Sequence, residues 1–205
     1  MQTRATFDAA ARSFLDLVEQ VPPSAYDGPG LGDWDLRSLV GHAGRSLVTV
    51  ATYLGTRADS VAAATPAEYF AVASRLVGRD DDGAIARRGV EAGRALGDDP
   101  VGALRASYAA ATAALDGLDG ADPVVETAAG GMRVSDYLPT RTFELVVHSL
   151  DIARACGVAH EPPADALAEA LGIAAASAVE LGLGPDVLLA LTGREPLAAG
   201  TSVVP

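Results

Sequence analysis

The 205-residue sequence has no lysine, no asparagine and a single cysteine. All 15 basic residues are therefore arginine, a bias that reads as the codon usage of a high-GC genome rather than as chemistry. One cysteine excludes an internal disulfide, which agrees with a reducing compartment. Cys156, in the run RACG near a helix end, reads as a small core filler rather than a reactive thiol. No apolar run reaches the ~18 residues that a membrane span requires. The opening MQTRATFDAAARSF carries charge in its first turns and lacks a signal-peptide core, so a cytoplasmic location is expected. Cationic surface is also scarce. With 27 acidic against 15 basic residues the formal charge is −12, which repels phosphate and excludes nucleic acid and anionic lipid as partners.

What the chain does have is alanine, glycine and helical periodicity. Hydrophobic residues make up 49% of it, β-branched runs are short, and alanine is the best helix former, so the core should be helical. Phe7, Phe14, Leu17, Val18 and Val21 share one face of a first helix over 4–20, which Pro22 and Pro23 end. PPSAYDGPGLGD is a turn-rich linker. Asp35 is placed to cap a second helix that Gly55 stops. Residues 66–96 form two shorter helices or one kinked helix, interrupted at GRDDDG. Asp80, Asp81 and Asp82 lack the spaced oxygens and terminal Glu of an EF-hand loop and read as a solvated acidic turn. Pro100 opens a fourth helix, with Val101, Leu104, Tyr108, Ala111, Leu115 and Leu118 on one face. Beyond Asp119 the pattern is lost: PVVET reads as a short strand and GGMRV as a lead into the next helix. That helix covers about 135–156, with Ser135 as its cap, Pro139 early enough to be tolerated and Gly157 as its stop. A helix over 164–182, an apolar turn PDVLLALTG and an extended end complete the chain. Short loops between several helices favour an antiparallel bundle.

The 135–156 helix carries the chemistry. With Glu144 at zero and about 100° per residue, His148 falls at about 40°, Arg141 at about 60° and Asp151 at about −20°. These four polar groups make one narrow stripe, while Phe143, Leu145, Val146, Val147, Leu150 and Ile152 surround them. A helix apolar nearly all round is buried, so the stripe faces either solvent on one open side or an interior polar site. A buried carboxylate needs a partner, and a metal is one of the few adequate ones. Glu144 and His148, four apart, sit about 6 Å from each other, which suits two ligands of one ion but equally a surface pair. Only two other histidines exist. His160, in AHEPPAD, reads as an exposed linker residue. His42 sits at the edge of the apolar face formed by Leu36, Leu39, Ala43, Leu47 and Val50, as a core histidine or as a third ligand. A His/Glu/His set suits a catalytic zinc with one open position.

WDLRSLVGHAG around His42 and RTFELVVHSLDIARACG around Glu144 and His148 resemble the two signature segments of the mycothiol-dependent maleylpyruvate isomerase family, which is similar to the DinB-like metal-binding bundles. The resemblance spans about residues 5–158, and LLALTGREPLAAGTSVV resembles the ending of many members. It implies an all-α fold: a DinB-like antiparallel four-helix bundle over 1–158, with a short helical and extended appendage over 159–205 packing on it. It implies that His42, Glu144 and His148 hold a divalent metal, usually zinc, with Arg141 and Asp151 as supporting groups. Asp151 is then either a carboxylate that orients His42 or His148, or the partner of a structural Arg–Asp pair. Trp34 reads as a packing anchor.

The resemblance also implies mycothiol as cosubstrate. An open metal position binds a small thiol and holds it as the nucleophilic thiolate. That thiolate adds to maleylpyruvate and leaves after rotation, or forms a stable conjugate with another electrophile. The family's isomerase is similar to a two-part protein with a C-terminal α/β domain, whereas fewer than 50 residues follow Gly157 here, with Arg194 as a remnant. Thiol-dependent S-transfer or isomerisation on some electrophile is therefore expected rather than maleylpyruvate isomerisation itself; the substrate-binding residues are not legible. Two other readings are a non-catalytic metal-binding or regulatory module and a thiol-independent metal hydrolase, since zinc lowers the pKa of bound water to about 7. The apolar Ala/Leu tail suggests a homodimer.

Overall fold

The computed structural model describes residues 2–77 and 83–204. The expected acidic turn at Asp80, Asp81 and Asp82 lies outside the described residues. Among those described are eight α-helices and one small hairpin, so the all-α class holds.

Helix α1 (Gln2–Val18) buries Phe7, Ala11, Phe14 and Val18, one per turn. A short 3-10 turn at Pro23–Ala25 follows it. Helix α2 (Leu36–Leu54) starts where Asp35 accepts the Ser38 N–H at 2.7 Å and stops at Gly55, as their types predict. The interrupted stretch resolves into two helices, α3 (Pro66–Val77) and α4 (Gly83–Ala95). Helix α5 (Pro100–Asp116) is capped by Asp99, whose side chain accepts the Gly102 N–H at 2.9 Å, and it buries Leu104, Ala111 and Leu115. Strands β1 (Val124–Thr127) and β2 (Gly130–Arg133) form an antiparallel hairpin in which Val125 faces Met132, both fully buried.

Helix α6 (Val134–Cys156) follows directly from β2 and ends at Gly157, whose φ of 70° is the left-handed cap that glycine adopts without a Cβ penalty. Three expectations are corrected here. GGMRV is not a lead-in but mostly strand β2, because Met132 has a buried apolar partner across the ladder. Ser135 is not the cap. The Asp122 carboxylate accepts both the Ser135 N–H and its hydroxyl, at 2.8 Å each, so a residue 13 positions back satisfies the helix start. PDVLLALTG is not a turn: helix α7 (Ala164–Glu180) is followed by α8 (Gly184–Leu191), which has proline in its first turn and packs on α7.

The packing centres on α2 and α6. Helix α2 lies against α4, α5 and α6; α6 lies against α1, α2 and α7; and α7 also touches α3. The α2–α4 crossing is glycine on glycine, since a Cβ on Gly41 would collide with the backbone at Gly93, and one on Gly93 would lie 2.8 Å from the Ser38 Cα. That close approach fixes α2, and with it His42, against its neighbours. No helix among the described residues is long and apolar enough to cross a membrane.

Candidate metal centre

Two helices build the site. The 3.6-residue period of α6 sets Glu144 and His148 one turn apart on the same face, and the α2–α6 contact brings His42 to them. His42, Glu144 and His148 each offer one ligand atom, all lying within 4.8 Å of one another. The His148 Nε2 lies 3.1 Å from the Glu144 Oε2. The His42 and His148 rings meet edge to face, with centroids 5.0 Å apart.

The charges of the trio are unequal. Both nitrogens of His148 face carboxylates, Nε2 towards Glu144 and Nδ1 towards the Asp151 Oδ2 at 3.3 Å. Carboxylates only accept, so without a metal both nitrogens carry hydrogen and the ring is an imidazolium. Burial works against that charge, but the hydrogen bonds to Asp151 and Glu144 outweigh it and raise the pKa of His148 to about 9. Burial likewise opposes the charge of Glu144, yet the His148 hydrogen bond and the Arg141 charge lower its carboxyl to about 2. His42 has no such carboxylate contact. Burial, with the nearby His148 charge, lowers it to about 4, so it is neutral at physiological pH.

A neutral imidazole keeps one lone pair that needs a partner. The His42 Nδ1 is buried and has no hydrogen-bond partner among the described residues. Such a group costs about 1–3 kcal/mol unless something answers it. Two imidazoles and one carboxylate whose ligand atoms lie within 4.8 Å of one another form a donor set suited to zinc. The three residues thus fit the metal that the resemblance implies.

The remaining sequence candidates fall around this cluster. Asp151 contacts His148, not His42 or Arg141. Arg141, although charged, is only 8% exposed; its Nε donates to Thr140 Oγ1 at 3.0 Å, and its guanidinium lies 5.2 Å from the ring centres of both Tyr69 and Tyr137. Trp34 stacks on His42 with centroids 4.6 Å apart and donates its indole N–H to the Ala86 carbonyl at 3.0 Å. A Cβ on Gly89 would strike that indole, so α4 leaves room for the ring that backs His42. His160 is not exposed as expected. It is half-buried, with its Nε2 enclosed and unpartnered, and takes no part in the cluster. Cys156 is half-buried and donates its S–H to the Ile152 carbonyl, away from the site.

The cluster lies in a pocket of about 710 Å³ walled by α2, α3, α4 and α6. Several of its walls were missed from sequence. Tyr137, fully buried and packed on the lining residues Tyr53 and Tyr69, falls at about 20° on the same wheel and extends the polar stripe by one turn, so it was legible. Its hydroxyl donates to Thr49 Oγ1 at 2.8 Å. Tyr53 and Tyr69, on α2 and α3, complete the aromatic wall, and no local pattern marks either. Val204, far along the C-terminal tail, also lines the pocket.

A helical protein with a His/Glu/His cluster at the base of a pocket is a candidate metalloprotein by fold and site together. The chain belongs to the mycothiol maleylpyruvate isomerase N-terminal domain family, whose model matches residues 7–153. No curated protein and no solved structure matches it.

Proposed function

We propose that the protein is a metal-dependent enzyme that uses a small thiol, mycothiol, for S-transfer to an electrophilic carbon or for addition–elimination isomerisation. In this reading His42, Glu144 and His148 hold zinc. The carrying observation is the convergence of His42, Glu144 and His148, whose ligand atoms lie within 4.8 Å of one another in the wall of a pocket. When bound, the metal supplies the positive charge that keeps a thiol in its nucleophilic thiolate form. Asp151 acts on His148 by accepting from Nδ1, which fixes the ring and leaves Nε2 for the metal. Trp34 holds the His42 ring by stacking and is itself tied to α4. The apolar and aromatic walls exclude water from the reacting groups. Residues 159–205 act in this proposal as an extension of the bundle, supported by the packing of α7 on α6 and by Val204 at the pocket.

The test is elemental analysis of the purified protein followed by thiol titration of wild type and Glu144→Ala. About one zinc per chain, and thiol binding that the substitution abolishes, are expected. Metal at trace level in the wild type removes the basis of the proposal. Turnover of an ester without added thiol would point instead to metal-assisted hydrolysis.

A further inference from the structure

The tail beyond α8 returns to the pocket after a long exposed excursion. From Leu191 to Gly200 all ten residues are exposed, and then Thr201, Val203 and Val204 are partly buried again. Val204 packs against the buried core and lines the pocket that holds the His/Glu/His cluster. Among the described residues it is the only lining residue beyond His148. Two left-handed glycines mark the turns of this excursion, Gly193 with φ 72° and Gly200 with φ 79°. Both are conformations that a residue without a Cβ adopts freely.

The tail keeps this position without polar ties to the helices. The Arg194 N–H still bonds to the Leu189 carbonyl of α8 at 2.8 Å. From residue 196 onward, among the described residues, every hydrogen bond stays inside the tail. The Thr201 hydroxyl donates to the Ala198 carbonyl at 2.7 Å, and the Ser202 hydroxyl to the Val204 carbonyl at 2.7 Å. The stretch PLAAGTSVV over 196–204 carries no charge, so no ion pair ties it down either. Nor does it lie flat on α8: a hollow of about 230 Å³ separates Leu197 and Thr201 from Asp186. Only the apolar tip anchors it. Partial burial of two valines returns little more than ordering the tail costs, so the docked and released arrangements are close in free energy.

We propose that residues 193–204 form a strap whose tip, Val204, is the movable part of the pocket wall and controls entry to the pocket. Docked, Val204 completes an apolar wall that also holds Phe70, Phe143 and Val147, and it keeps water from that edge. Lifted, with Gly193 and Gly200 absorbing the change in direction, it opens the same edge to a ligand. The remaining walls belong mainly to helices packed on one another, whereas the strap is fixed at one end only. That the entering ligand is a thiol or its electrophile rests on the proposed thiol chemistry; the docking of the strap does not.

The composition supplies the reporters. Of the three isoleucines, Ile85 lines the pocket while Ile152 and Ile173 lie in the core, and Trp34, the only tryptophan, also lines the pocket. The experiment compares the full chain with Val204→Asp, Val204→Leu and a chain ended after Gly200. Val204→Asp puts a carboxylate where the wall is apolar and so releases the tip. Isoleucine-methyl NMR should show the Ile85 signal shifted in Val204→Asp and in the shortened chain, with Ile152 and Ile173 unmoved as evidence of an intact fold. Quenching of Trp34 by acrylamide, followed by fluorescence lifetime, should be about twofold faster in both, because removing one of two near-equal states about doubles the open fraction. Val204→Leu should behave as wild type. If either altered chain fails to fold, the other decides. An Ile85 signal unmoved in a folded released chain overturns the docking, and unchanged quenching of Trp34 overturns the control of entry. Neither readout uses metal or thiol, so the two readings fail separately. A chain that binds no metal can keep the strap, and a zinc-loaded chain can lack it.

Discussion

Replacing Asp151 with Asn tests the electrostatics of the cluster directly. In the metal-free protein His148 is held between two carboxylates, and its pKa is raised from an ordinary 6.5 to about 9. Asp151→Asn keeps the shape but removes the charge from one of the two contacts. A hydrogen bond to a charged group is worth about 1.5–3 kcal/mol, and one pKa unit corresponds to 1.36 kcal/mol, so the substitution should lower His148 by about 1–2 units. The stability consequence has a definite sign. A histidine raised in the folded state contributes stability that is complete below pH 6.5 and lost as pH rises through about 9. Its full size is about 3 kcal/mol, shared with Glu144 because the two titrate as one coupled pair. His42 works in the opposite direction. Lowered to about 4, it costs stability as pH falls below 6.5, so the cluster makes the metal-free protein most stable near pH 6.5. The assay is NMR titration of the ring protons of the three histidines after chelation, with thermal melts at pH 6.5 and 9. Wild type should show one histidine titrating near 9 and one near 4, and should lose stability towards pH 9. Asp151→Asn should shift only the upper midpoint and flatten that loss. A wild-type His148 that titrates near 6.5, or one unmoved by the substitution, refutes the imidazolium bridge.

Other expectations follow from the same geometry. His42→Ala should reduce bound metal to trace levels, read by elemental analysis, while the fold persists by circular dichroism. Gly41→Ala should destabilise the protein by about 1–3 kcal/mol in denaturant titration, because its Cβ would meet the backbone of α4 and neither helix can yield cheaply. Asp122→Ala should cost about 1 kcal/mol by the same measurement, since it removes the carboxylate that accepts the Ser135 N–H and hydroxyl at the start of α6. Metal affinity measured between pH 6 and 7 should rise about tenfold, because the ion must displace the proton held on His148; a flat profile would contradict that exchange.

Local signals fixed much of the architecture and half of the candidate site. Asp35 and Gly55 bound α2, and the apolar spacing of α1 and α5 set their buried faces, because caps and periodicity act within a few residues. Glu144, His148, Arg141 and Asp151 could be placed on one stripe for the same reason: a helix converts sequence spacing into direction. Where that failed, a distant partner decided. Asp122 displaced Ser135 as the cap of α6, and the pairing of Met132 with Val125 turned a lead-in into a strand. Both contacts join residues that local reading treats as independent.

The sequence by itself determined a helical, acidic chain without a disulfide, and it determined that Glu144 and His148 point the same way. It also determined family membership, through motifs that flank His42 and His148. Only the tertiary structure decided that His42 meets them, because that contact depends on how α2 crosses α4 and α6, and the crossing depends on two glycines far apart in the chain. The same holds for Arg141. Its charge was visible, but what surrounds it was not, since Tyr69 comes from α3 and meets Arg141 only in the assembled pocket. Direction along a helix is local physics, whereas burial and pairing belong to the packed chain.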